Sequence, residues 1–203
     1  MKLLEETIRK YGEIKNDEVL LVDSFLNHQI DPQLMMELGK DFVRHFKNKK
    51  ITKILTIETS GIAPALMCGY LLNVPVVYLK KSKSKILNEE LYETTVHSFT
   101  KDIDYLITCR KSFLSSDDSI LFIDDFMANG EACLGAIDII KQAHAQLAGI
   151  GIVIEKAFQQ GNAKVSQAGY EVYSQARISS LEKNEIQFID ESAVPRTFSG
   201  IDR

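Results

Sequence analysis

Apolar and polar positions alternate between two textures along the chain. Short, nearly continuous apolar runs read as strands: VLLVD (19–23), ITKILTIE (51–58), VPVVYLK (74–80), SILFIDD (119–125) and AGIGIVIEK (148–156). Between them lie segments with apolar residues at helical spacing: 2–11, LMMELGKDFVRHF, IAPALMCGYLL, EACLGAIDIIKQAHAQ and a short one at 162–168. Asp31-Pro32 predicts the start of the second helix, an N-cap followed by a first-turn proline. YEVYSQARI and EIQFID predict late strands, and ESAVPRTFSGIDR shows no pattern and reads as a loose tail. Buried strands alternating with amphipathic helices predict an α/β fold, a mostly parallel sheet with helices on both faces.

One stretch differs. KKSKSKILNEELYETTVHSFTKDIDYLITCRKSFLSSDD is charged and β-branched with few helical stripes, which predicts a mobile loop plus a hairpin, with strands near 92–99 and 103–110.

Length and composition narrow the picture only a little. The 203 residues suit a single domain, 1–203, able to bury a core. A formal net charge of −4 argues against a nucleic-acid surface. Cys68, Cys109 and Cys133 are odd in number and widely spaced, which fits a reducing cytoplasm rather than a disulfide scaffold or a zinc site. The charged N-terminus is unlike a signal peptide and no apolar run reaches membrane length, so neither membrane nor export is expected.

In parallel sheets ligands bind beyond the carboxyl ends of the strands. Three predicted strands carry polar residues there: Glu58-Thr59-Ser60-Gly61, Asp124-Asp125 and Glu155-Lys156. The turn after the acid pair is built of small residues and feeds a helix, so its backbone N–H groups suit a phosphate. Carboxylates only accept, so Asp124 and Asp125 would meet sugar hydroxyls of the same ligand. The same spacing also fits two acids that stop a strand and cap a turn. ETSGIAPA repeats the strand–turn–helix arrangement, either for a second phosphate or as an ordinary turn with Ser60 as N-cap.

ILFIDDFMANGEA resembles the phosphoribosyl-pyrophosphate (PRPP) motif of the type I phosphoribosyltransferases, an apolar run, two acids, two apolar residues and Ala-Thr-Gly-Gly-Thr. The acids and Gly130 match, whereas Asn129, Glu131 and Ala132 depart and remove threonine hydroxyls. The phosphate would then rest on backbone N–H groups from Ala128 to Ala132, with Glu131 turned away. ETSG resembles the family's pyrophosphate loop, and the stretch from KKSKSK to about 110 its flexible loop. VLLVDSFLNHQIDP, SGIAPA and IGIVIEKAFQQG resemble the xanthine-using members, over nearly all the chain to about residue 190.

The resemblance implies a single phosphoribosyltransferase domain with a small hood from about 1–35 and 155–190 and a flexible loop at about 80–115. It implies purine salvage: xanthine and PRPP give xanthosine 5′-monophosphate and pyrophosphate, with Mg²⁺ carried by PRPP rather than by protein side chains. Asp124 and Asp125 become the catalytic pair. Thr59, Ser60 and Lys81 join Ala128, Asn129, Gly130, Glu131 and Ala132 on PRPP, although Lys80, Lys81, Lys83 and Lys85 also fit a solvated loop face. Leu20, Asn27 and Lys156 surround the purine. Lys156 donates to O6, and Asn27 donates to O2 or, flipped, accepts from a guanine amino group. Phe158 can stack or be core, and His28 reads as a loop residue. Where hypoxanthine-guanine relatives have an aspartate proposed to take the purine proton, this chain has Ala128, so no general base is named. The family generally forms homodimers. Within the enzyme class the alternative is a hypoxanthine-guanine or broad 6-oxopurine enzyme. Outside it stands a PRPP-sensing transcription regulator, which needs a DNA-binding module that the first 50 residues do not supply. A phosphoryl-transfer receiver or phosphatase leaves the turn, ETSG and the lysines unexplained.

Overall fold

The computed structural model describes residues 1–16, 18–82, 90–98 and 103–189. Helix α1 (Lys2–Tyr11) buries Leu4 and Ile8, one turn apart on one stripe. Strands β1 (Glu13–Lys15) and β2 (Val19–Leu21) form an antiparallel ribbon, and a π-helical turn spans Asp23–Asn27. Helix α2 (Pro32–His45) starts as its sequence predicts: Asp31 accepts from the Gln33 and Leu34 N–H groups at 2.9 and 3.1 Å. There follow β3 (Lys53–Ile57), α3 (Ile62–Leu72), β4 (Val76–Ser82), β5 (Leu91–Ser98) and β6 (Ile103–Arg110). Then come β7 (Ser119–Met127), α4 (Glu131–Gln142), β8 (Gln146–Lys156), α5 (Gly161–Gln167), β9 (Tyr173–Ser180) and β10 (Gln187–Phe188).

The main sheet has eight strands in the order β10-β9-β8-β7-β3-β4-β6-β5. From β9 to β4 all neighbours are parallel, and β10, β6 and β5 are antiparallel additions at the edges. The apolar run in β7 shows why no polar position was needed there. Leu121 and Ile123 pack with Leu38 and Phe42 of α2, while Ile120 and Phe122 pack with Ile139 and Ile140 of α4. Successive side chains face opposite sides of the sheet, and both sides are covered.

Several boundaries differ from the sequence reading. Strand β7 does not stop at the acids but continues to Met127, because β8 runs on beside it and pairs Phe126 with Ile154 and Met127 with Glu155. The ribbon strand β1 and the π-helical turn are too short to give a periodic signal. The hairpin is present, from Leu91 opposite Arg110 to Ser98 opposite Ile103, and it joins the sheet through Lys80 opposite Thr108. Most of the described part of the 80–115 stretch is therefore sheet. Residues 83–89 and the tail from 190, expected to be loop and loose end, lie outside the described residues. Among the described residues no helix is long and apolar enough to cross a membrane.

Candidate active site

The carboxyl ends of β3, β7 and β8 open onto turns that lead into α3, α4 and α5. Asp124 is buried and its Oδ1 accepts from the Asp125 N–H at 3.0 Å. Burial first, and then the charge of Asp125, hold the Asp124 carboxyl well above the usual carboxylate range. Burial raises Asp125 as well. Lys81 opposes both shifts, so the lysine expected from the sequence lies within electrostatic reach of the pair. Its main-chain N–H donates to Glu58 Oε1 at 2.7 Å, tying the end of β4 to the β3–α3 turn, and its ammonium lies 5.6 Å from the Tyr105 ring centroid. Burial, assisted by Asp124, also raises the Tyr105 hydroxyl. Two desolvated acids beside one cation form an electrostatically costly arrangement, of the kind that a ligand relieves.

The β3–α3 turn lies directly against this pair. A Cβ built at Gly61 would stand 2.7 Å from Asp124 Oδ1. Helix α3 is capped at Gly61 without a side-chain bond, so Ser60 is not its N-cap. Thr59 is exposed, Ser60 is half-buried, and the Thr59 carbonyl accepts from the Ile62 N–H at 3.1 Å.

The β7–α4 turn is shaped by glycine. Gly130 has φ +84°, a region open to glycine, and it caps α4. It also meets a second glycine: a Cβ there would lie 3.0 Å from Gly161 Cα, and the Gly161 N–H donates to the Ala128 carbonyl at 2.9 Å. Glu131 turns toward α5, accepting from Lys164 Nζ at 2.6 Å. Residues 126–133 line a pocket of about 140 Å³, closed on the hairpin side by His97 and Tyr105. The N–H groups at the head of this twelve-residue helix give the pocket a wall whose chemistry suits an anion.

Toward the hood, Lys156 at the end of β8 is half-buried and donates from Nζ to the Glu18 carbonyl at 2.9 Å. Burial pushes its ammonium down, with Glu18 opposing. Leu20 lies two residues past Glu18, but its side chain is 5% exposed and packed in the core with Leu4 and Ile8, so only its main chain can face a ligand. Asn27 is exposed at the end of the π-helical turn, and Phe158 is exposed beyond β8. Glu155, the third polar strand end, is buried and held by Ser174 at 2.6 Å, Asn162 at 3.0 Å and Arg177 at 3.1 Å. It braces β8, β9 and α5. Sequence reasoning passed over Tyr105, Gly161 and Lys164, whose roles depend on contacts between distant segments.

Comparison with known proteins agrees with this geometry. The family model described as "Phosphoribosyl transferase domain" matches residues 21–166. A protein named xanthine phosphoribosyltransferase 1 from Clostridium botulinum is 54% identical over 189 residues, covering 93% of this chain and all of that one. Xanthine phosphoribosyltransferase from Listeria innocua is 55% identical over 191 residues, covering 94% of this chain and all of its own. Among solved structures, adenine phosphoribosyltransferase from Thermoanaerobacter pseudethanolicus superposes with a TM-score of 0.72 at 17% identity, over 86% of this chain and 99% of that one. The Trypanosoma brucei adenine enzyme, solved with AMP, pyrophosphate and ribose-5-phosphate, gives 0.71 at 18%, over 86% and 79%. These two share the fold. The matched domain contains the acid pair, both turns and α4, and identity above one half extends along nearly the whole chain: this protein belongs to the phosphoribosyltransferase family.

Proposed function

We propose that the protein transfers the 5-phosphoribosyl group of PRPP to N9 of xanthine, releasing xanthosine 5′-monophosphate and pyrophosphate. The observation that carries this reading is the convergence on one rim of buried Asp124, half-buried Asp125, Lys81 and the Gly130 turn. Xanthine as the acceptor is supported by the names of the relatives at 54% and 55% identity.

In this reading the C1′–O bond to pyrophosphate breaks as N9 of the purine bonds to C1′ from the opposite face. Asp124 and Asp125 hold the ribose hydroxyls and stabilise positive charge developing on the sugar. Backbone N–H groups from Ala128 to Ala132 hold the 5′-phosphate, with Glu131 kept aside by Lys164. Thr59, Ser60 and Lys81 face the pyrophosphate. A hard cation that keeps its waters and phosphate oxygens needs few protein ligands. Mg²⁺ would arrive with PRPP, held by phosphate oxygens and water rather than by protein side chains. Charge on the leaving pyrophosphate is neutralised when Mg²⁺ accompanies it. Ala128 offers no proton acceptor, and xanthine, already partly anionic near neutral pH, needs little help. Lys156 and Asn27 donate to O6 and O2, beside the main chain at Leu20.

The hood (about 1–35 and 155–190) covers the purine; most of the 80–115 loop outside the hairpin strands lies outside the described residues. A homodimer is supported by α3, which has no charged residue and yet leaves Leu66 and Tyr70 51% and 73% exposed. Three buried free thiols suit a cytoplasmic setting, and a net charge of −4 argues against a nucleic-acid partner. The test is production of xanthosine 5′-monophosphate and pyrophosphate by purified protein with PRPP, Mg²⁺ and xanthine. Absence of both products would remove the proposal.

A further inference from the structure

Side chains on the Gly130 pocket are poorly matched to a dianion. The Ala-Thr-Gly-Gly-Thr pattern of the family is Ala-Asn-Gly-Glu-Ala here, so the threonine hydroxyls are missing and an acid has been introduced. Its carboxylate is drawn off by Lys164, but that leaves the turn with backbone donors, Asn129 and no cation of its own. A second segment supplies a side chain that can carry one. The hairpin β5–β6 packs flat on α4, where a Cβ at Gly135 would stand 2.6 Å from Val96 Cγ2 and 3.0 Å from Ile107 Cδ1. This packing carries the far end of the hairpin to the head of α4, where His97 and Tyr105 line the pocket opposite residues 126–133. Of all the pocket's lining side chains, His97 alone can carry positive charge. Its ring is fixed: Nδ1 lies 2.8 Å from Asp104 Oδ1 across the hairpin, and because an ionised carboxylate only accepts, Nδ1 donates.

We infer that His97 is a phosphate-binding residue, brought in by the hairpin to replace the hydroxyl donors that the turn lacks and binding the phosphate with both ring nitrogens protonated, so that Nε2 donates to the anion while Asp104 orients the ring. This inference rests on the proposed reading of the pocket as the 5′-phosphate site. It makes affinity for the phosphate end of the substrate depend on a residue more than thirty positions before the turn. It also gives the hairpin a role in ligand binding beyond covering α4.

The experiment is titration calorimetry of the purified protein with ribose 5-phosphate and, separately, with magnesium pyrophosphate. It compares wild type, His97→Ala, His97→Gln, Asp104→Asn and Gly130→Val, with thermal melts to show that each is folded. His97→Ala should weaken ribose 5-phosphate by about 5- to 20-fold, the low end for a charge-assisted hydrogen bond because the ring is 35% exposed. His97→Gln, which keeps a donor without charge, should fall between, and Asp104→Asn should weaken binding less than His97→Ala does. Pyrophosphate affinity should stay within about 2-fold throughout, since its expected contacts are on the other turn. Unchanged ribose 5-phosphate affinity in folded His97→Ala, with Gly130→Val still damaging, overturns the role of His97 and leaves the phosphate pocket standing. Ribose 5-phosphate affinity indifferent to both Gly130→Val and His97→Ala overturns the pocket assignment and this inference together.

Discussion

Lys164 on α5 donates to Glu131 on α4 at 2.6 Å, and this ion pair holds the one acidic side chain of the Gly130 turn toward its neighbouring helix. An acid at that position would otherwise repel the phosphate proposed for this turn. Glu131→Gln keeps a hydrogen-bond acceptor for Lys164 and removes the charge. The KM for PRPP should therefore change by at most about 5-fold, the ceiling set by a partly exposed ion pair of up to ~1 kcal/mol. Steady-state kinetics with varied PRPP checks this. A collapse of PRPP binding would mean that the carboxylate faces the ligand.

The contact between Gly130 and Gly161 makes a sharper prediction, because Gly161 is outside the motif. A Cβ at Gly161 would overlap the Ala128 carbonyl and stand 3.0 Å from the Gly130 nitrogen, both part of the phosphate turn. Gly161→Ala should thus raise the KM for PRPP by about 10-fold, roughly 1.4 kcal/mol of lost binding, while the protein still folds. Gly130→Val should be worse, adding a disfavoured positive φ to the same clash. A fully active Gly161→Ala variant would show that the two turns are not coupled.

How far the sequence could be read follows from the range of each signal. The strands around ILFI and GIVIE were legible because both faces of the sheet are covered, which leaves an unbroken apolar run. Asp31 was legible as a cap because its partners are two and three residues away. The acid pair and the Gly130 turn stood out as a local motif. Glu155 looked like part of the same rim, yet Arg177 and Ser174, some twenty residues on, make it a brace. Leu20 was expected at the purine, but its side chain is packed beneath α1, a contact that no local pattern announces. The pairing of Glu131 with Lys164 was foreseen only as a direction: the acid had to point away.

Asp124 and Asp125 link activity to stability with opposite signs. Both carboxyls are raised above the ordinary value of 3.8 in the folded protein, chiefly by burial. The native state therefore holds protons that the unfolded chain gives up. Their stabilising contribution is full below 3.8 and is lost as pH rises through the raised values, so the pair destabilises the fold wherever it is ionised. Replacing both with Asn should flatten this part of the pH dependence and raise the Tm at pH 7 by about 2–4 °C, the equivalent of 1 kcal/mol in a domain of this size. The same variant should lose at least ~10-fold in turnover, because the charge acts on the transition state. Thermal melts from pH 4 to 8 alongside kcat check both halves. A variant that is no more stable at pH 7, or one that turns over normally, contradicts the assignment.

Purine choice should follow the donors at Asn27 and Lys156. Hypoxanthine has nothing at C2, so Asn27 would lose its partner, a penalty of about 1–3 kcal/mol or roughly 5- to 150-fold. Guanine recovers part of this when the Asn27 amide flips, and adenine presents a donor to Lys156, a side chain with only donors. The most direct measurement is kcat/KM for the four purines with PRPP and Mg²⁺, in wild type and in Asn27→Ala. The order should be xanthine, guanine, hypoxanthine, adenine, with the gap between xanthine and hypoxanthine narrowed in Asn27→Ala. A wild type that prefers hypoxanthine, or a ratio untouched in the variant, would contradict it.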